Sequence, residues 1–170
     1  IRGLQLDFGV DEAHAHRVQH VAIELLQQMQ FTAPSLLATK ALDMAAQLHE
    51  VGMRVALSNY HRHGAYITEH CSQATWEPEL RERICQLVLG HQGKLRKLDA
   101  VIDDPEVALP LMALRLAVQL CHTRRDPDMQ GITLKRTGTE FRLTTPTGWM
   151  LTYPQSARLL EEEAMAWSKS

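Results

Sequence analysis

At 170 residues, with 45% apolar and only 5% aromatic side chains, the chain can bury one core, or one core with a small appendage, packed from Leu, Ala, Val and Met. That palette favours helices. A net charge of −2 excludes a whole-chain field that draws in polyanions, so nucleic acid is not an expected partner and any anionic ligand must be held by a local cluster.

The three cysteines, Cys71, Cys85 and Cys121, are odd in number, widely spaced and without a CxxC pair, which suits reduced thiols in a cytoplasmic protein. No apolar run approaches the roughly 18 residues of a membrane span, and no signal peptide is visible. The chain begins at Ile1 without an initiator methionine, and the expectation is an excised domain or a fragment of a longer protein.

Asp11 is a good N-cap, and Val18, Val21, Ala22, Leu25, Leu26 and Met29 then recur at helical spacing. This predicts a helix over 11–31, stopped by Thr32-Ala33-Pro34, with His14 and Arg17 neighbours on one face. Ser35 caps a second helix whose buried stripe is Leu37, Ala38, Ala41, Leu42, Ala45 and Leu48. Gly52 is expected to close it as a left-handed C-terminal cap, which puts His49 and Glu50 in the last turn.

A loop over 53–60 leads into a short helix over 61–71. Glu77-Pro78 opens the next helix, carrying Leu80, Ile84, Leu87 and Val88 and closed by Gly90. Residues 91–104 read as a long polar loop, basic first and then acidic. Asp104-Pro105 starts a Leu- and Ala-rich helix to about Thr123, with Pro110 placed to kink its first turns.

Composition changes at Arg124-Arg125-Asp126-Pro127. Alternating runs over 132–136, 141–145 and 149–153 are predicted strands, separated by Thr137-Gly138 and Pro146-Thr147-Gly148 turns. An amphipathic helix over 155–167 ends the chain, with Leu159, Leu160, Ala164 and Trp167 on one side and Leu159, Leu160 and Trp167 as a candidate exposed dimer seam. The predicted fold is mainly α: an all-helical domain over 1–125, then a small ββ(β)α subdomain over 126–170.

Two clusters could carry chemistry. The first combines His14, His49 and Glu50: imidazole with carboxylate suits a transition metal, whose bound water becomes a nucleophile near neutral pH. The second is basic. Arg62 lies between His61 and His63, and His91, Lys94, Arg96 and Lys97 follow on a glycine-punctuated loop able to wrap phosphates without base-specific contacts. Arg115, Arg124 and Arg125 lie later, with Arg115 in an otherwise apolar helix and expected to bury against a carboxylate such as Glu50. Phosphate-loop, dinucleotide, nucleophile-elbow and CxxC motifs are absent, as is an aromatic-rich basic patch for single-stranded nucleic acid.

The first cluster resembles the core of the HD phosphohydrolase superfamily, in which a His, an adjacent His-Asp pair and a distant Asp hold a divalent metal on a helical bundle. His14, in the H-x-x-R-V context of Arg17 and Val18, matches the first ligand, and His49 the second, while Glu50 stands where the superfamily has Asp. The distal Asp would fall near Ala117-Val118, where no carboxylate is present; Asp43 or the 99–104 loop would have to replace it. His63 and His91 stand where two-metal members place auxiliary histidines.

More specifically, VDEAHAHRV, QLHEVG, HRHGAYI, LVLGHQGKLRKL, LMALRLAVQLCHTRRD and ITLKRTGTEFRLTTPTGW, in that order, resemble the C-terminal region of the exopolyphosphatase / guanosine pentaphosphate phosphohydrolase family. The resemblance implies an HD-like helical domain followed by a small α/β part, with the catalytic residues and Mg2+ of the parent enzyme in N-terminal domains not included here. It further implies no catalytic residue and no cofactor in this segment, inorganic polyphosphate as partner, a homodimer, and His61, Arg62, His63, His91, Lys94, Arg96 and Lys97 as the polyphosphate-binding set. Two alternatives stand beside it: a parent acting on guanosine pentaphosphate, and an active HD-type phosphohydrolase of a phosphorylated nucleotide with metal on His14, His49 and Glu50.

Overall fold

The computed structural model describes residues 1–29, 35–72 and 75–169. A short helix α1 (Arg2–Asp7) precedes α2 (Glu12–Gln28) and α3 (Leu36–Leu48). The Asp11 carboxylate accepts from the His14 amide at 3.0 Å, and the Ser35 hydroxyl accepts from the Ala38 amide at 3.0 Å, so both predicted caps form. The predicted stop at Thr32-Ala33-Pro34 lies outside the described residues. Sequence reasoning did not find α1, which buries Leu4 and Gln5 against α3.

The end of α3 differs from expectation. His49 follows Leu48 with φ −60, and a 3-10 turn spans Val51–Arg54, so Gly52 is not a left-handed cap. A Cβ there would meet the Tyr60 carbonyl oxygen at 2.0 Å and the Gly64 amide nitrogen at 2.4 Å. The glycine is required because two backbones touch.

Helices α4 (Tyr60–His70), α5 (Pro78–Gly90) and α6 (Pro105–Leu120) complete the bundle. Pro110 sits inside α6 without ending it. The predicted loop 91–104 contains a second 3-10 turn, Leu95–Leu98, whose leucines are both 4% exposed. Helix α2 packs on α3 and α6, α3 on α5, and α5 on α4. Leu25, Leu26, Leu42, Leu48, Ile84, Leu87, Leu111 and Leu114 are fully buried between them, each contributing about 1.5–3 kcal/mol of transfer free energy.

Strands β1 (Thr133–Thr137) and β2 (Glu140–Thr144) pair antiparallel, with Thr137 opposite Glu140 across a turn in which Gly138 has φ +61. The third expected run is a helical turn, α7 (Trp149–Thr152), followed by α8 (Pro154–Trp167). Trp149 is buried while Met150 and Leu151 are both exposed, two adjacent residues facing out as on a helical turn and not in the alternation of a strand. The fold is thus mainly helical: a bundle followed by a two-stranded hairpin and two helices.

Helix α8 packs on α6. Leu160 is 9% exposed, and the Trp167 indole donates to Glu163 at 2.7 Å with its ring 6.4 Å from Phe141, so these predicted seam residues face inward. The backbone amide of Leu134 donates to the Gln28 side chain at 2.7 Å, tying the hairpin to the end of α2. Among the described residues, no helix is long and apolar enough to cross a membrane.

Candidate functional site

The ends of α2, α3, α5 and α4 converge on a row of imidazoles. His14 in the first turn of α2 lies 5.8 Å, ring to ring, from His49 at the end of α3. His49 is 5.3 Å from His91 just beyond α5, and His91 is 6.4 Å from His61 in the first turn of α4. All four are buried. Burial holds each below the ordinary imidazole range, most strongly His91, so the row is neutral near pH 7.

Carbonyls fix two of the rings. His49 Nδ1–H donates to the Ala46 carbonyl at 2.6 Å and His91 Nδ1–H to the Val88 carbonyl at 2.7 Å. The Tyr60 hydroxyl lies 3.3 Å from His91 Nε2; burial pushes its pKa up to about 12, so it stays protonated and donates. Both nitrogens of His91 are therefore engaged inside the protein. His61 differs: its Nδ1 is buried without a hydrogen-bond partner among the described residues.

At one end of the row lies Glu50. His14 Nε2 is 3.7 Å from Glu50 Oε1, and the ligand atoms of His14, His49 and Glu50 all fall within 4.8 Å of one another. Two of the carboxylates that could have completed a metal set, Asp43 and Asp104, are used elsewhere. Asp43 accepts from Gln19 and Gln47, and Asp104 caps α6 and pairs with Arg83 at 3.0 Å. In their place comes a cation. Arg124, held at φ 58 just after α6, donates to Glu50 Oε1 at 2.6 Å and to Asp11 Oδ2 at 3.1 Å. The amide of His14, with Arg124 beside it, holds the Asp11 carboxyl below its usual range.

Arg115, expected against Glu50, takes a different partner. It is 5% exposed and forms a two-pronged pair with Glu163 of α8, while its Nη1 donates to the carbonyls of Gly90 at 2.7 Å and Gly93 at 3.0 Å. The partner expected for Arg115 is taken by Arg124, and nothing in the sequence spacing signals the exchange.

The other end of the row is the basic loop. Gly93 has φ +78, and a Cβ there would lie 3.3 Å from Lys97 Nζ and 3.6 Å from His61 Nε2, so the three groups meet. Lys97 donates to the Gln92 carbonyl, and its pKa is brought down to about 8 by burial, with Arg115 and Arg62 adding to the effect. Arg62, Lys94 and Arg96 are exposed around this point and His63 is half-buried. The structure thus gathers His61 and Lys97 at Gly93 and leaves Arg62, Lys94 and Arg96 in solvent, with His91 behind them as an internal support. A signal that could have found this layer is Gly93 itself, a glycine set among basic residues. A family model, Ppx/GppA phosphatase domain III, matches residues 1–164 of the chain.

Proposed function

The chain belongs to the Ppx/GppA phosphatase family, and from that membership we propose that it is the polyphosphate-gripping region of an exopolyphosphatase that releases terminal phosphate from inorganic polyphosphate. The observation that carries this reading is the meeting of Lys97 and Gly93 of the basic loop with His61 of α4, edged by Arg62, Lys94 and Arg96. Cations on such a loop hold a phosphate chain through charge alone, which lets the chain slide while it stays bound. That is what processive release of successive phosphates requires. The catalytic step and its Mg2+ are assigned to other domains of the parent, and the reading includes a homodimer, checked by its mass in solution. Guanosine pentaphosphate, also a run of phosphates, would meet the same loop.

A second reading, metal-dependent hydrolysis of a phosphorylated nucleotide, draws on the closeness of His14, His49 and Glu50. Calorimetric titration with medium-length polyphosphate at two salt concentrations, with and without Mn2+, separates the two. Salt-sensitive binding without metal, lost in Lys94→Ala/Arg96→Ala/Lys97→Ala, is the expected result. Binding only after metal is added, or phosphate released during the titration, would overturn it in favour of the second reading.

A further inference from the structure

His14, His49 and Glu50 have the elements of a divalent metal site: ligand atoms within 4.8 Å of one another, all three residues buried, and His49 Nδ1–H fixed on a carbonyl at 2.6 Å so that Nε2 is its remaining ligand atom. The site's carboxylate nevertheless already has a cation. The Glu50 oxygen nearest His14, Oε1, is the one that accepts from Arg124 at 2.6 Å. Arg124 also reaches Asp11, so one guanidinium is balanced by two carboxylates.

His14 is arranged to match. The Arg17 guanidinium, which can only donate, lies 3.4 Å from His14 Nδ1. This leaves the proton of His14 on Nε2, the nitrogen 3.7 Å from Glu50 Oε1, where a metal ligand would need a lone pair. A dication placed beside an undisplaced guanidinium would set like charges around a single oxygen.

We infer that Arg124 is the cation around which this cluster is built, standing where a divalent transition metal would sit, and that removing its side chain turns His14, His49 and Glu50 into a binding site for Zn2+ or Co2+. The inference is independent of the polyphosphate reading, because it concerns the opposite end of the histidine row.

The test is metal binding by the full chain and by Arg124→Gly. Glycine removes the guanidinium and suits the left-handed backbone at this position, φ 58, so the backbone part of the change favours folding, while Glu50 loses its cation. Each protein is equilibrated with Co2+ and with Zn2+ in a chelator-buffered series, reading visible absorption and metal bound per chain. Arg124→Gly is expected to take up one ion more tightly than the unaltered chain by about tenfold or more, an ordinary size for competition between two ligands. The added His49→Ala change should abolish that uptake. Equal behaviour of the two chains, whether both bind or neither does, overturns the inference. Should Arg124→Gly fail to fold alone, Zn2+ is added to it and to the unaltered chain. Refolding of the variant, with the His14 and His49 resonances of the unaltered chain unmoved, supports the inference; no refolding, or shifted resonances, overturns it.

Discussion

His91 is 1% exposed and has both ring nitrogens occupied, so a proton can reach it only when the surrounding helix ends open. In the unfolded chain the same ring titrates near the ordinary histidine value of 6.5, whereas in the fold it lies well below. The unfolded state therefore binds protons first as pH falls, and stability drops with it. His49 and His61 shift in the same direction, also mainly through burial, so the effects add. Melting temperature is expected to fall as pH is lowered below about 6.5; a flat profile from neutrality down to about pH 5 would refute the neutral row. Lys97 has the opposite functional consequence. With its folded pKa down to about 8 against 10.5 for a solvated lysine, it loses charge as pH rises through the lower value. Polyphosphate affinity should weaken there, and Lys97→Arg should keep it level, because a guanidinium does not titrate. Stability itself should rise between those two values, since the unfolded chain holds the proton longer. At this scale His14 was legible because the Asp11 cap placed it, and His49 and Glu50 because they follow the apolar stripe of α3, although Gly52, the cap expected to hold them in its last turn, is not one. Arg124 was not, because its partners are 113 and 74 positions away and depend on a left-handed residue that spacing alone does not mark.

Gly52 shows why element boundaries were harder to foresee than the elements. A glycine after an apolar stripe looks like a helix cap, yet here it marks where the start of α4 crosses the turn after α3. Gly52→Ala is expected to destabilise by about 1–3 kcal/mol or more, since both obstructing atoms are backbone and cannot rotate away. Urea unfolding measures it, and an unchanged midpoint would show that the two segments move apart cheaply. The short runs failed for a related reason. Residues 149–152 are too few for a period of two to be told from one of 3.6, and the Leu95, Leu98 pair emerges only once the loop folds onto α5. Long helices with caps, α2 and α3, were legible in full stripe and start. The contact of α6 with α8 also rests on a feature no periodicity shows, the Arg115–Glu163 pair, whose side chains are 5% and 4% exposed. Glu163→Ala leaves a buried guanidinium without its anion and should cost about 3–5 kcal/mol. Arg115→Leu/Glu163→Leu should cost less than Glu163→Ala alone, because no charge is stranded; equal losses would mean that the pair acts by packing only.

Across the whole molecule, the hairpin and last helix cover apolar surface of the bundle: Met112 and Leu116 of α6 line one cavity of about 600 Å³ with Leu134, Phe141, Trp149 and Leu160. His122 also meets the Ser156 hydroxyl at 2.9 Å across this boundary. A chain ended after residue 125 is therefore expected to expose that surface and to lose its cooperative melting transition, which calorimetry would detect; an unchanged transition would make the C-terminal part dispensable to the bundle. The position of Arg115 carries a further consequence. Its guanidinium touches the last helix on one side and the carbonyls of Gly90 and Gly93 on the other. Deuterium uptake by loop amides would then be governed by a segment some seventy positions downstream in the chain (Gly93 to Glu163). A protease nick, a bound antibody or a neighbouring domain that lifts the last helix would loosen the basic loop around Gly93 without touching it.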